Sequence, residues 1–144
     1  MGMAKILIVE DEQIIALELQ ARLKRLGYDV PVVVSSGEEA LQQAFTTRPD
    51  LILMDIALSG KIDGIETARQ LREQLDIPSI YLTARVDEAT LARVKPTKPL
   101  GYILKPYVEK TLHQTIQMAL ESKQREQECR HWGQLSDHGK NLNR

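Results

Sequence analysis

Cysteine is nearly absent from this chain: Cys129 stands alone among 144 residues. A lone thiol excludes an internal disulfide and any Cys-rich zinc site, and it fits a reducing, cytoplasmic setting. Aromatic residues make up only 4%, too few for a surface on which bases stack. Charge of one sign is also missing, since 19 basic and 20 acidic residues leave a net charge of -1. A surface that tracks phosphates ordinarily shows a basic excess, so no nucleic-acid partner is expected. No run approaches the roughly 18 apolar residues that a membrane span requires. Nothing resembles a signal peptide, and Met1-Gly2-Met3 reads as an extra start ahead of Met3. With 42% hydrophobic residues, a chain of this length can bury the core of one domain.

What is present is a set of short apolar runs that each stop at a polar side chain. Ile6-Leu7-Ile8-Val9 runs into Glu10-Asp11, and Leu51-Ile52-Leu53-Met54 into Asp55. Ile80-Tyr81-Leu82 ends at Thr83, and Tyr102-Ile103-Leu104 at Lys105-Pro106. Short unbroken runs read as strands covered on both faces, hence a parallel sheet between helices. In such sheets ligands bind beyond the carboxyl ends of the strands. The pattern therefore aims two or three carboxylates, a hydroxyl and an ammonium at one place.

The segments between the runs supply the helices. Ile14, Leu17, Leu19, Leu23 and Leu26 mark the first, with Gly27 as its stop. Val30 to Val34 reads as a second strand, and Pro31, which cannot donate to a ladder, places it at the sheet edge. Ser36-Gly37-Glu38-Glu39 is a capping box opening a helix through Phe45. A loop from Ala57 to Gly64 precedes a helix to about Leu75, and Asp76-Ile77-Pro78 leads into the fourth strand. Asp87 to Val94 allows about two helical turns before Pro96 and Pro99 interrupt. Pro106-Tyr107 opens a last helix with Val108, Leu112, Ile116, Ala119 and Leu120 on one face. The alternation predicts an α/β fold: a doubly wound five-stranded parallel sheet, flavodoxin-like, with right-handed crossovers. Beyond Leu120 the apolar face fades. Residues 4–121 are expected to form the domain, and residues 122–144 a helical linker or frayed tail.

In the common strand order 2-1-3-4-5, Asp11, Asp55, Thr83 and Lys105 line one rim on strands about 4.8 Å apart. Carboxylates this close repel, so one takes a proton or a cation neutralises them. Oxygen ligands alone point to Mg2+ or Mn2+. Lys105 adds a positive point on the other flank. A phosphoryl group beside Asp55 would lie among cation, ammonium and the Thr83 hydroxyl, an arrangement suited to phosphoryl transfer. A carboxylate can be the attacking nucleophile, and Asp55 is the best placed. Each residue singly has an ordinary explanation, as a helix cap, a turn residue or a solvated strand end. The convergence of four at one rim carries the case.

These motifs, in this order, resemble the receiver domain of two-component response regulators over residues 4 to 121. The resemblance implies that Asp55 takes a phosphoryl group from a phosphohistidine of a sensor histidine kinase or histidine phosphotransfer protein. It implies that Glu10, Asp11, Asp55 and the Ala57 carbonyl hold Mg2+. Thr83, Ala84 and Lys105 would bind the phosphoryl group, and the Lys105–Pro106 bond would be cis. Thr83 and Tyr102 carry over as a switch pair that reshapes the surface of the fourth helix, fifth strand and fifth helix. Ala57 and Arg85 occupy the positions that tune phosphate lifetime. On this reading the chain is no enzyme in the usual sense, catalysing only its own aspartyl phosphorylation and dephosphorylation.

Two features modify the expectation. Pro96 and Pro99 shorten the fourth helix and so alter the usual output face, where a homodimer would form. The segment from Ser59 to Ala68 resembles receivers at the N-terminus of multidomain sensor proteins, which implies a C-terminal sensor or kinase module. Rival readings fare worse. A haloacid-dehalogenase-type phosphohydrolase needs a second Asp where Ala57 stands. A flavodoxin-like flavin carrier needs a phosphate-cradling loop where Glu10-Asp11-Glu12 puts negative charge. The alternative kept open is a degenerate receiver that serves only as a docking module.

Overall fold

The computed structural model describes residues 3–84 and 87–143, with side chains to residue 127. Five parallel strands form one sheet: β1 (Ile6–Val9), β2 (Val33–Val34), β3 (Leu51–Asp55), β4 (Ser79–Thr83) and β5 (Gly101–Leu104), in the order β2-β1-β3-β4-β5. The helices between them are α1 (Gln13–Arg25), α2 (Gly37–Thr47), α3 (Gly64–Leu75) and α4 (Glu88–Val94), and α5 (Glu109–Asn143) follows β5.

Strand alternation splits the core in two. Ile6, Ile8, Leu51, Leu53, Ile80, Leu82 and Ile103 face α1 and α5, meeting Leu19, Leu23, Leu112 and Ile116. Leu7, Val9, Ile52, Met54 and Tyr81 face the other way, against Ala40, Ala44, Ile65, Leu71 and Val94. Each fully buried aliphatic side chain contributes roughly 1.5–3 kcal/mol. Because β1 and β3 are neighbours while β2 turns outward from β1, the topology reverses at the carboxyl ends of β1 and β3. That reversal opens a crevice.

Helix starts follow local chemistry. Ser36 Oγ accepts from Glu39 N at 3.2 Å, Asp63 Oδ1 from Glu66 N at 2.9 Å and Asp87 Oδ1 from Thr90 N at 2.7 Å. Each satisfies an amide that a helix leaves unpaired at its first turn. Gly27, at φ 98°, turns the chain after α1.

Four sequence expectations need correction. Ile14 and Leu17 point outward, 82% and 48% exposed, because the core side of α1 is Ala16, Leu19 and Leu23. Strand β2 is only Val33–Val34; Val30 is buried ahead of it, and Pro31 keeps the chain off the ladder. Strand β5 is not covered on both faces: Tyr102 and Leu104 are 39% and 56% exposed. It lies at the sheet edge beside the short α4, which leaves that side bare. Val108 precedes α5 and is exposed, whereas Leu112, Ile116 and Ala119 form the buried face. Helical backbone continues past Leu120 to Asn143.

Candidate functional site

Strand ends deliver the polar groups. Asp55 is the last residue of β3 and only 5% exposed; Glu10, one residue past β1, is buried, and Asp11 is half-buried. The ladder to β4 continues one residue past β3 and β5, since Ile56 N donates to Leu82 O at 3.2 Å and Lys105 N to Thr83 O at 2.8 Å. Those two bonds carry the Asp55 turn and Lys105 to either side of Thr83, which is itself buried. The Lys105–Pro106 bond is cis.

The charges converge. Glu10, Asp11 and Asp55 each place a carboxylate oxygen within 4.8 Å of the others. Lys105 Nζ donates to Glu10 Oε1 at 2.9 Å and lies 3.8 Å from Asp55 Oδ2. Ala57 N donates to Asp55 Oδ1 at 3.0 Å, and Glu12 N to Glu10 Oε2 at 3.3 Å. Burial and then the neighbouring Asp55 push the Glu10 carboxyl above its usual range, although Lys105 pulls the other way. For Lys105, burial acts downward, but the bond to Glu10 and the charges of Asp55 and Glu10 outweigh it, so the ammonium is held above the usual lysine value.

Three carboxylates against one ammonium leave two negative charges uncompensated in a poorly solvated crevice. Hard oxygen donors in surplus fit a hydrated divalent cation such as Mg2+ or Mn2+. Outward from the carboxylates lies an open cleft of about 510 Å3 lined by Asp11, Asp55, Ala57, Thr83, Ala84 and Lys105, with Asp87 and Thr90 on its α4 side. Room for a phosphoryl-sized group therefore adjoins the acidic cluster. A larger hollow, about 900 Å3, opens near the far end of α3 between Arg72, Pro96, Lys98 and Arg125. Its cations are offset by Glu73, Asp76 and Glu126, and no reactive set converges there.

Glu10, Asp11, Asp55, Ala57, Thr83, Ala84 and Lys105 thus share one place. Tyr102 does not line the cleft. Its ring stacks on Tyr81 with centroids 6.3 Å apart, on the face of β5 beside α4. Arg85 lies outside the described residues. Two supports were not singled out from the sequence. Gly64 packs so tightly that a Cβ there would sit 2.0 Å from the Asp55 carbonyl oxygen. Ser59 Oγ donates to Asp11 Oδ2 at 3.3 Å. The signal for Gly64 was available in Asp63-Gly64-Ile65-Glu66, a cap followed by a residue without a side chain.

Comparison with known proteins agrees with this geometry. Over 117 residues the chain is 41% identical to the alkaline phosphatase synthesis transcriptional regulatory protein PhoP of Bacillus subtilis, covering 81% of this chain and 48% of PhoP. The chain spans about half the length of the curated relatives it matches. Among solved structures, the signal receiver domain of a modulated diguanylate cyclase from Desulfovibrio desulfuricans superposes with a TM-score of 0.82 at 42% identity, over 87% of this chain and 99% of that one. The N-terminal domain of a response regulator/sensory box/GGDEF protein from Carboxydothermus hydrogenoformans gives 0.78 at 33%, over 85% and 98%. The profile of the response regulator receiver domain matches residues 6–117, so the chain belongs to the receiver-domain family of two-component response regulators.

Proposed function

We propose that this receiver domain is a phosphoacceptor whose Asp55 takes a phosphoryl group from a phosphohistidine on a sensor histidine kinase or histidine phosphotransfer protein. The observation that carries this reading is the cluster of Glu10, Asp11 and Asp55 within 4.8 Å, with Lys105 at 3.8 Å from Asp55 and a cleft alongside. Glu10, Asp11, Asp55 and the Ala57 carbonyl would hold Mg2+ or Mn2+, which when bound supplies positive charge to the phosphoryl oxygens. An Asp55 carboxylate oxygen attacks phosphorus, the P–N bond breaks, and its electron pair leaves with the imidazole. The Ala57 amide and the Lys105 ammonium hold the Asp55 carboxylate in place for that approach. Lys105 and the Thr83 hydroxyl then counter the charge gathered on the transferred group.

The chain acts on no separate substrate: it catalyses only its own phosphorylation and dephosphorylation, with Ala57 and Arg85 at the positions that set phosphate lifetime. The added charge draws Thr83 toward the phosphoryl group, and the Tyr102 ring moves into the space released, biasing a two-state surface. That surface is the edge carrying Tyr102 and Leu104, already exposed, and it would receive an output partner or a second copy. The diguanylate cyclase and sensory-box proteins that share this fold support a module joined beyond α5. No helix among the described residues is long and apolar enough to cross a membrane.

Incubation with acetyl phosphate or phosphoramidate and Mg2+, followed by intact mass, tests the reading. One phosphoryl adduct is expected, lost with EDTA and absent in Asp55→Asn. An adduct that persists in Asp55→Asn moves the acceptor elsewhere, and no adduct in the unaltered chain leaves a docking module.

A further inference from the structure

Resting on the phosphoacceptor reading above, we propose that Glu38, in the first turn of α2, is a positioning residue for the cation site. It clasps the loop between β3 and α3 so that the Ser59 hydroxyl, carried by that loop, fixes the Asp11 carboxylate. Glu38 and Ser59 stand outside the set that meets the cation or the phosphoryl group, and they act through Asp11.

The loop needs an external hold. Residues 56–63 lie between the end of a strand and the start of a helix, and no sheet ladder secures their middle. At the α3 end, Gly64 N donates to Ile56 O at 3.4 Å and the chain presses against Asp55. In the middle the hold comes from α2. Glu38 Oε1 accepts from Lys61 N at 3.1 Å. The same carboxylate abuts Gly60, where a Cβ would lie 3.5 Å from Oε2, and Gly60 adopts φ +118°, a conformation that side chains rarely take.

A second contact, independent of Glu38, joins the same two segments. Gly37 packs so closely that a Cβ would lie 2.7 Å from Ile62 Cγ1 and 2.1 Å from Thr67 Oγ1. The start of α2 is therefore seated against the loop on both apolar and polar sides. Backbone amides, first its own and then those of Ile62 and Lys61, hold the Glu38 carboxyl below its usual range, so it stays a charged acceptor through neutral pH.

Ser59 precedes Gly60 and reaches across to Asp11 Oδ2 at 3.3 Å. Asp11 is the more exposed of the carboxylates in the cluster, and so the one with most orientational freedom to lose. A hydroxyl that donates to one oxygen leaves the other for a cation. Groups that orient a ligating carboxylate in this way matter to metal affinity.

The test uses the full chain with Mn2+ alone as probe, titrated by calorimetry, and hydrogen exchange of the loop amides. Glu38→Ala removes the acceptor and Glu38→Gln keeps an amide oxygen for Lys61 N–H. The expected result is a loss of about tenfold in Mn2+ affinity for Glu38→Ala and for Ser59→Ala, the low end of the range for groups that orient a metal's ligands. Exchange at Lys61 should quicken in Glu38→Ala, and Glu38→Gln should restore most of both. Wild-type affinity in both alanine variants, or a glutamine variant as weak as the alanine one, overturns the clasp while leaving the phosphoacceptor reading intact. A wild-type chain that binds no Mn2+ overturns that reading and the clasp with it.

Discussion

The Lys105 ammonium sits 2.9 Å from Glu10 Oε1 but 3.8 Å from Asp55 Oδ2. The lysine thus bonds the most buried carboxylate and only flanks the acceptor. Lys105→Met keeps the stem and removes the charge, leaving Glu10 without its cation partner. In metal-free buffer this should cost about 1–3 kcal/mol, the range for losing a charged hydrogen bond at a partly screened site. Removing one positive charge beside three carboxylates should also tighten Mg2+ binding. Urea unfolding with and without Mg2+ measures both effects. A variant as stable as the parent, with unchanged Mg2+ affinity, would refute the pairing.

A second pair sets the floor beneath Tyr102. The Tyr81 hydroxyl meets Thr97 Oγ1 at 2.7 Å, and Thr97 Oγ1 donates onward to Val94 O at 2.6 Å. Both residues are buried, and burial raises the Tyr81 phenol to about 12. The chain of bonds makes the two partners unequal. Tyr81→Phe leaves Thr97 still bonded to Val94, so its cost should be about 1 kcal/mol. Thr97→Val strands a buried phenol and should cost about 1–3 kcal/mol, with the double variant recovering part of that. Equal costs for the two single variants, with simple additivity, would show that the bond does not tie β4 to the turn after α4.

What could be read in the sequence was the part with strong local pattern. Apolar runs ending at Asp55, Thr83 and Lys105 gave the sheet and the rim, because strand ends in a parallel sheet map directly onto a shared crevice. Proline positions foretold the short α4 and the place of β2 at the sheet edge, though not how brief β2 is. The choice of face on α1 was not legible. Ile14 and Leu17 are as apolar as Leu19, and only packing against Ile6 and Ile8 decides which side turns inward. Exposure of Tyr102 and Leu104 was equally hidden, since it depends on how little α4 covers a neighbouring edge. Ser59 acts through a close approach to Asp11 from a distant segment, and sequence spacing carries no direct trace of that.

Gly64 offers a steric prediction. A methyl group there would lie 2.0 Å from Asp55 O and 2.9 Å from Asp55 C, both backbone atoms that cannot swing aside. Gly64→Ala should therefore push α3 away from the end of β3, costing about 1–3 kcal/mol or more and slowing phosphorylation from acetyl phosphate. Gly101→Ala is the comparison. Its methyl would meet only Thr115 Cγ2 at 3.3 Å, so stability should stay within about 1 kcal/mol. Thermal unfolding of the two variants decides the matter, and similar midpoints would contradict the close approach.

Acid should find a different weak point, on α3. Arg69 Nε donates to Glu66 Oε1 at 2.9 Å, and Gln70 Nε2 donates to Glu66 Oε2 at 2.8 Å. The Arg69 hydrogen bonds, then that of Gln70, hold the Glu66 carboxyl down at about 2. A carboxyl depressed in the folded state stabilises the fold above its unfolded value and loses that contribution as pH falls through the folded one. The contribution is thus present above about pH 4.5 and fades toward pH 2. The pair is solvent-facing, so screening limits its worth to about 0.5–1 kcal/mol. Urea unfolding of the parent and Glu66→Gln from pH 7 to 2.5 should show a gap of that size at neutral pH, closing in acid and shrinking in 1 M salt. The other carboxyls titrate in both proteins and cancel in the difference, which is why the variant is needed. A gap that stays constant with pH would mean that Glu66 acts through packing and not through its charge.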